Sequence, residues 1–136
     1  MKNLLTALMT KFSGSAFSTD VAGRIYLDET PAGAEFPYCV FFIVAGTPEK
    51  TFTERFTDTL IQFSLFSTSK GVTEISTMYA DLKAILEECS LSITGSTLVW
   101  CREQGMTTMN EEITTPTGTA TVKHWAVEYE IRTSLN

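Results

Sequence analysis

Hydrophobic residues recur at helical spacing in two stretches of the chain. The first stretch precedes Gly14, and its apolar stripe consists of Leu4, Leu5, Leu8, Met9 and Phe12. This spacing predicts a short amphipathic helix that docks on the body of the protein. In the second stretch, apolar residues recur from Val72 to Cys89, which predicts a long helix of more than four turns.

Four other stretches have strand patterns. The segment Phe36–Ala45 is an unbroken apolar run, typical of a strand that is covered on both faces or pressed against a neighbouring subunit. Between Thr57 and Thr68, apolar and polar residues alternate, as in a half-buried strand. The segments Ser96–Gln104 and Ala120–Arg132 also have strand character, and we expect them to pair antiparallel.

The connections between these strands are polar. One is Gly46–Arg55, and the other, Gly105–Thr119, separates the last two strands by about fifteen residues. Most hairpin loops have about two to five residues. The longer connection is therefore either a flexible tip or a hairpin arm that becomes ordered on a partner.

The order of these elements predicts a single α+β domain over residues 1–136. Its sheet would be mainly antiparallel, with about four strands, and the long helix and the short N-terminal helix would pack on one face. A length of 136 residues and a hydrophobic content of 43% suit one globular domain. Apolar residues left for the opposite face indicate burial against a neighbour, as in a ring of identical subunits.

Composition argues against several classes of function. The formal net charge of −6 disfavours a basic groove for nucleic acid, although an acidic lining would let DNA slide past without sticking. Cys39, Cys89 and Cys101 show neither a disulfide framework nor zinc-site spacing, so we expect a reduced, cytoplasmic setting. No apolar run reaches the length of a membrane span, and no phosphate-binding glycine loop is present. We therefore predict no cofactor, no metal and no membrane partner.

Catalytic candidates are few. His124 is the single histidine and shares a strand face with Glu128 and Glu130, so a His–carboxylate pair is sterically possible. Strand faces often pair such charges without function, and the sequence indicates no substrate pocket. Cys101 lies in an apolar run and is expected to be an inert buried residue. The protein is predicted not to be an enzyme, and its large aromatic residues are expected in the core: Tyr79, Trp100, Trp125 and Tyr129.

Two short motifs point to a family. After the amphipathic start come Gly23-Arg24-Ile25-Tyr26 and, beyond a polar bridge, Phe36-Pro37-Tyr38-Cys39-Val40. Together with the order of strands and helix that follows, this block resembles the siphophage tail terminator family, also called tail completion or tail-to-head joining proteins. The resemblance covers most of the chain. It implies a structural virion protein of the tail or neck, assembled in the host cytoplasm.

The resemblance also implies partners. Members are expected to form a ring, of six copies by this resemblance, on the head-proximal end of the tail tube. There the ring would halt tube polymerisation, present a surface to the head connector or stopper protein, and let DNA pass without specific binding. Such a ring needs a heterologous interface that closes on itself and two unlike ring faces.

Residue type and position suggest where these contacts lie. We expect the subunit interface to use the apolar strand and two arginines, namely Phe41, Phe42, Ile43, Val44, Arg24 and Arg55. We expect the tail tube or the connector to be contacted by the two polar connections, through Thr47, Glu49, Lys50, Thr107, Thr108, Asn110, Glu111, Glu112 and Thr114.

Two other classes stay open on the sequence. The same fold class and acidity would serve a head-completion or connector adaptor protein in the same particle. A small-ligand-binding α+β domain is the other alternative, in which the surplus apolar surface would line a pocket instead of a subunit interface.

Overall fold

The structure, a computed structural model, describes residues 2–50, 55–87, 91–115 and 118–135. Within them the chain forms helices and strands in the order α1 (Lys2–Phe12), α2 (Ala16–Asp20), β1 (Ile25–Leu27), β2 (Tyr38–Lys50), β3 (Arg55–Ser67), α3 (Thr73–Leu86), β4 (Ser92–Ile93), β5 (Ser96–Thr115) and β6 (Gly118–Leu135). The strands differ greatly in length, from two residues in β4 to twenty in β5.

The six strands form one sheet in the order β1-β2-β3-β6-β5-β4. The long strands β2, β3, β6 and β5 pair antiparallel, and β4 pairs antiparallel with the start of β5. β1 runs parallel to β2, which makes the sheet mixed. The sheet curls into a half-barrel, and its long central strands supply most of the surface on which the helices pack.

The pairing of β3 with β6 decides which side chains face the helices. Phe63 lies opposite Val127, and Ile61 lies opposite Tyr129. All four of these side chains are fully buried. Because residues alternate sides along a strand, the residues between them point to the opposite face, which no helix of the described chain covers. We call this second face the open face.

Phe12, at the end of α1, is the ring around which the helix side is packed. It is 1% exposed, and its ring centroid lies 5.6 Å from that of Phe17, 5.7 Å from that of Phe41 and 5.9 Å from that of Phe63. The two contacts with strand residues are edge-to-face, a geometry that aromatic quadrupoles favour. One side chain thus joins α1, α2, β2 and β3.

Helix α3 covers the other part of the helix side. It buries the stripe Ile75, Met78, Leu82 and Leu86. Its Tyr79 hydroxyl donates a hydrogen bond of 2.6 Å to Glu103 of β5. That hydrogen bond, together with burial, raises the pKa of Tyr79 to about 12. The Ser67 hydroxyl at the end of β3 also donates a hydrogen bond of 2.6 Å to Glu74 of α3. The helix is therefore tied to the sheet by an apolar stripe and by charge-assisted hydrogen bonds.

The motif residues Gly23 and Arg24 build a tight junction. Gly23 has a φ of 77°, in the left-handed region that favours glycine. Directly after it, Arg24 donates from Nε to the Pro37 carbonyl (3.0 Å) and from its terminal nitrogen to the Phe36 carbonyl (3.2 Å). The two halves of the sequence motif are thus bonded to each other, and they hold β1 beside β2.

The predicted fold class is wrong. Strands make up 54% of the structure, and the sheet has six strands of mixed direction instead of about four antiparallel ones. The helices of the described residues are short, with 11, 5 and 14 residues, and α3 ends at Leu86, while Cys89 lies outside the described residues. Strands of two or three residues, such as β4 and β1, are too short to show any periodicity.

We predict that Phe12→Ala lowers the free energy of unfolding by about 3–5 kcal/mol, because the cavity would open between three other aromatic rings. Met9→Ala on the same helix is the matched control, since Met9 is 38% exposed, and should cost less than about 1 kcal/mol. Urea unfolding followed by circular dichroism measures both. Equal losses in the two variants would contradict the central position of Phe12.

Candidate interaction surface

Both polar connections continue as paired strands. Residues 46–50 of β2 pair with 55–59 of β3, ending at Lys50 opposite Arg55. Residues 105–115 of β5 pair with β6 to the last pair, Thr115 opposite Gly118. We call these the β2–β3 hairpin and the β5–β6 arm. The expected loop at Gly105–Thr119 is thus strand over residues 105–115 and 118–119.

The two hairpins project from opposite ends of the sheet. At one end, Phe56 lies opposite Ser134, next to the tip of the β2–β3 hairpin. At the other end, β3 stops at Ser67 opposite Lys123, and five further pairs carry the β5–β6 arm beyond it. At about 3.4 Å per residue, the arm extends roughly 17 Å past the end of β3. The sheet therefore offers a separate contact element at each end.

The two ends differ in charge. By sequence, residues 46–55 contain two acidic and two basic residues: Glu49, Glu54, Lys50 and Arg55. The outer part of the arm, residues 110–122, contains Glu111 and Glu112 and no basic residue. Because contact partners are selected by complementary charge, the two ends suit different partners.

Stacked rings cross the open face at the arm end. Tyr38 of β2 stacks on Phe66 of β3 with centroids 4.8 Å apart, and Phe66 stacks on His124 of β6 at 4.2 Å. Tyr26 and Phe36 extend this row at the β1 side, with centroids 6.0 Å and 5.2 Å from that of Tyr38. Cross-strand aromatic pairs stabilise a sheet, so this row stiffens the face that lacks a helix cover.

His124 joins this row of rings to the arm. Its side chain is 14% exposed, and its Nδ1 lies 3.5 Å from Oε1 of Glu111. Glu111 also contributes, after burial, to the raised pKa of the Tyr38 hydroxyl. Glu128 and Glu130, predicted as candidate partners of His124, lie opposite Gln62 and Leu60, further along the open face. The imidazole is thus a packed ring at the base of the arm.

A second cluster holds the other end of the open face. Arg132 donates from Nε to Oδ1 of Asp58 (2.6 Å) and from a terminal nitrogen to Oδ2 (2.8 Å). Its guanidinium lies 5.3 Å from the ring centroid of Phe56 and 5.4 Å from that of Trp100. Arg102 covers Trp100 at 4.0 Å. Trp100, expected in the core, instead stacks with arginines, because β5 turns it to the open face opposite Arg132.

Between these clusters the open face forms a groove of about 400 Å³, lined by Ala45, Thr47, Asp58, Leu60, Gln104, Glu128 and Glu130. Asp58 is neutralised by Arg132, whereas Glu128 and Glu130 add negative charge near the middle of the sheet. No group of three or more side chains that could hold a metal ion occurs within the described residues.

The residues predicted for a subunit interface are dispersed. Phe41 is fully buried in the chain's own core, and Ile43 packs partly against that core. Phe42 lies on the open face opposite Gln62, and Val44 sits at a β-bulge with 47% exposure. The reason is the alternation of a strand, which sends neighbours in an apolar run to opposite faces.

The two predicted interface arginines also separate. Arg24 is engaged with the carbonyls of Phe36 and Pro37 and lies 3.8 Å from a carboxylate oxygen of Glu35. Arg55 is exposed at the start of β3 and lies opposite Lys50 near the tip of the β2–β3 hairpin. Arg24 therefore has a structural role in this chain, whereas Arg55 is open to a partner.

The residues predicted to contact the tail tube or the connector fall on the two hairpins. On the β2–β3 hairpin, Thr47 and Lys50 are exposed, and Glu49 pairs with Phe56 through its backbone. On β5 the exposed members are Thr107, Thr108, Asn110, Glu111 and Glu112, and Thr114 pairs with Thr119. The side chains of Glu49 and Thr114 lie outside the described residues.

Sequence reasoning missed the stacked row and the arginine cluster. Tyr38, Phe66 and His124 are far apart along the chain, and only strand pairing brings them side by side. Their signal in the sequence is weak: Phe66 shares its strand face with the polar residues Gln62 and Ser64. Arg132 and Asp58 became partners because they are directly opposite in the β3–β6 pair.

Other chemistry is sparse in the described residues. Burial raises the pKa of the Cys39 thiol, which keeps it protonated and unreactive. Burial and the neighbouring Asp81 raise the pKa of Asp20 to about 6, but this pair lies between α2 and α3, away from the open face. No helix among the described residues is long and apolar enough to cross a membrane.

Comparison with known proteins gives a consistent result. The family model described as tail completion protein gp17 matches residues 2–134. A chain from the virion of a native gene transfer agent (GTA) particle superposes with a TM-score of 0.69 at 12% identity, over 95% of this chain and 92% of that chain. A second solved structure, without a functional description, has a TM-score of 0.56 at 14% identity and covers 96% and 94%. No curated protein has a significant sequence match to this chain.

We predict that the Arg132–Asp58 pair makes stability acid-sensitive. Hydrogen bonding to Arg132 lowers the pKa of Asp58, so its contribution is present above the unfolded-state pKa and is lost as the pH falls through the lower folded-state pKa. Asp58→Asn should therefore lower the free energy of unfolding at pH 7 by about 1–3 kcal/mol. Between about pH 5 and pH 2 the variant should lose less of its free energy of unfolding than the wild type does.

Urea unfolding at a series of pH values checks this, and the exposed carboxylate variant Asp28→Asn is the matched control. The control should keep the acid dependence of the wild type. If Asp58→Asn loses as much stability on acidification as the wild type, the pair is not the source of the effect.

Proposed function

Because this chain belongs to the tail completion protein gp17 family, we propose that it ends the tail tube and joins it to the head. As a member of that family, it is a structural protein of phage-like particles with a role in tail completion, and this family is not an enzyme class. In the proposed role, a ring of six copies sits on the head-proximal end of the tube, in the neck of the virion. It stops polymerisation there and receives the head connector.

The opposed hairpins carry this proposal. A terminating ring needs one face that accepts the last ring of the tube and a different face that does not accept another. The β2–β3 hairpin and the β5–β6 arm project from opposite ends of the sheet and differ in charge. If the strands run roughly along the ring axis, each hairpin reaches a different ring face. The two partners would then be the tube protein at one face and the connector or stopper protein at the other.

The acidic surface supports passage of DNA through such a ring. The chain carries a net charge of −6, and Glu128 and Glu130 line the groove on the open face. Carboxylates repel phosphates and leave DNA free to slide. A lumen lined by this face would therefore conduct DNA without binding it.

The primary test is tail length, measured by electron microscopy in particles assembled without this chain. We expect abnormally long tubes, because nothing would stop the addition of tube subunits. Tubes of normal length that remain separate from filled heads would instead assign the chain to head completion or to a connector adaptor. Intact virions of normal appearance would contradict both roles.

A second prediction concerns the arm. Replacing residues 112–121 with Asn-Gly keeps Glu111 opposite Val122 and closes the strands with a favoured two-residue turn. The exposed positions in the removed part, such as Glu112 and Thr121, add little to the core, so the melting temperature should stay within about 3 °C of the wild type. Joining of tails to heads, counted by electron microscopy, should be lost.

The matched control keeps the arm at full length and changes Thr119 and Thr121 to Ser, and it should join tails to heads normally. A collapse of the melting temperature in the shortened variant would show that the arm is needed for folding. Normal joining by the shortened variant would remove the arm from the proposed interface.

A further inference from the structure

Among the residues that the structure describes, both long edges of the sheet lack a strand partner over most of their length. β1 covers β2 only at residues 39–41, and β4 covers β5 only at residues 96–97. Among the described residues, no strand pairs with the outer side of Phe42–Lys50 or of Leu98–Thr115. Exposed strand edges of this length present rows of backbone donors and acceptors that can pair with another chain.

Several exposed side chains on these edges are apolar, including those at the two bulges. Natural proteins blunt free edges with charged residues, with prolines and with bulges. Here the bulged positions carry Val44, which is 47% exposed, and Val99, which is 45% exposed. The other exposed apolar residues of these edges are Leu27 on β1 and Met106 and Met109 on β5. Five of the eight exposed large hydrophobic residues in the described chain therefore lie on the two edges.

The two edges match in direction. β2, β3, β6 and β5 are consecutive antiparallel strands in the sheet. Because their number is even, β2 and β5 run in opposite directions. Consider two copies related by rotation about an axis that runs along the strands. The β5 strand of one copy then lies antiparallel to the β2 strand of the next copy. Antiparallel pairs are more stable than parallel ones. Each copy then uses both edges, so the contact is heterologous and can close into a ring.

The two edges also match in their position along the strand direction. Tracing the pairs across the sheet, Phe42 lies level with Gly105, and Thr47 lies level with Trp100. The uncovered parts of β2 and β5 therefore overlap without interference from β1 or β4. In the same way Leu27, beside Phe41, lies level with Met106 on the other edge. Apolar residues thus lie at matching heights on the two sides of the contact.

We propose that the β5 edge of one copy, around Val99 and Met106, pairs with the β1–β2 edge of the next copy, around Leu27 and Val44. The occupant of each edge is a second copy of this chain. This inference rests on the proposed ring and deepens it, because it names the two surfaces from which the ring is made. The proposed interface differs from the apolar run Phe41–Val44 that the sequence suggested. It uses the edge of the strand, where Val44 is the exposed member of that run.

The test uses Val44→Lys and Val99→Lys, which place an edge-protecting charge on each edge in turn. The matched control is Val72→Lys, because Val72 is 56% exposed and precedes α3, away from both edges. Sedimentation velocity over a concentration series measures self-association, and circular dichroism verifies that all variants fold. We expect oligomers from the wild type and the control, and monomers alone from each edge variant.

Mixing the two edge variants distinguishes a heterologous contact from a symmetric one. The Val44→Lys chain keeps an intact β5 edge, and the Val99→Lys chain keeps an intact β2 edge, so the mixture should form dimers and nothing larger. If Val99→Lys alone abolishes association while Val44→Lys has no effect, two β5 edges meet symmetrically and the proposal is overturned.

The remaining outcomes separate this proposal from the proposed function. Rings formed equally well by both edge variants would overturn the edge contact alone and leave the terminating role to the tail-length experiment. A wild-type chain that stays monomeric in solution, with no larger species released from dissociated particles, would overturn the edge contact and the ring together.

Discussion

The pairing of β3 with β6 is the constraint on which the rest of the structure depends. It sets Phe63 against Val127 on the helix side and Asp58 against Arg132 on the open face. Because side chains alternate along a strand, a slip of one residue would move every buried residue of one strand to the other face. The surface on which the helices pack, the Phe66–His124 stack and the Asp58–Arg132 pair thus depend on one register. The burial of Phe63 and Val127 opposes such a slip, since they are fully enclosed in the core.

The same register explains how a modest core supports two long hairpins. β2 and β3 continue past the core to Lys50 and Arg55, and β5 and β6 continue to Thr115 and Gly118. In these extensions each strand is paired with its hairpin partner along its inner side, and the exposed side chains contribute little to stability. A rigid sheet that carries a projecting element at each end is suited to contacts with two different partners.

The open face is stabilised by its own side chains. Tyr38, Phe66 and His124 stack across three strands at one end, and Arg132 with Asp58 holds the other. These cross-strand contacts supply rigidity where no helix covers the sheet. They also leave the carboxylates of the groove and the apolar edges of β2 and β5 as the parts of this surface open to partners.

The sequence by itself determined the features that depend on one element at a time. The apolar stripe of α1, the stripe of α3 from Ile75 to Leu86 and the alternation in β3 and β6 were all visible, because helix and strand periods are local. The short motifs also indicated the family to which the chain belongs. Only the tertiary structure decided where strands end, which edges stay open and which distant residues meet. Those outcomes depend on partners across the sheet, so Thr-rich segments that resemble loops in isolation become strands once their backbone groups are paired.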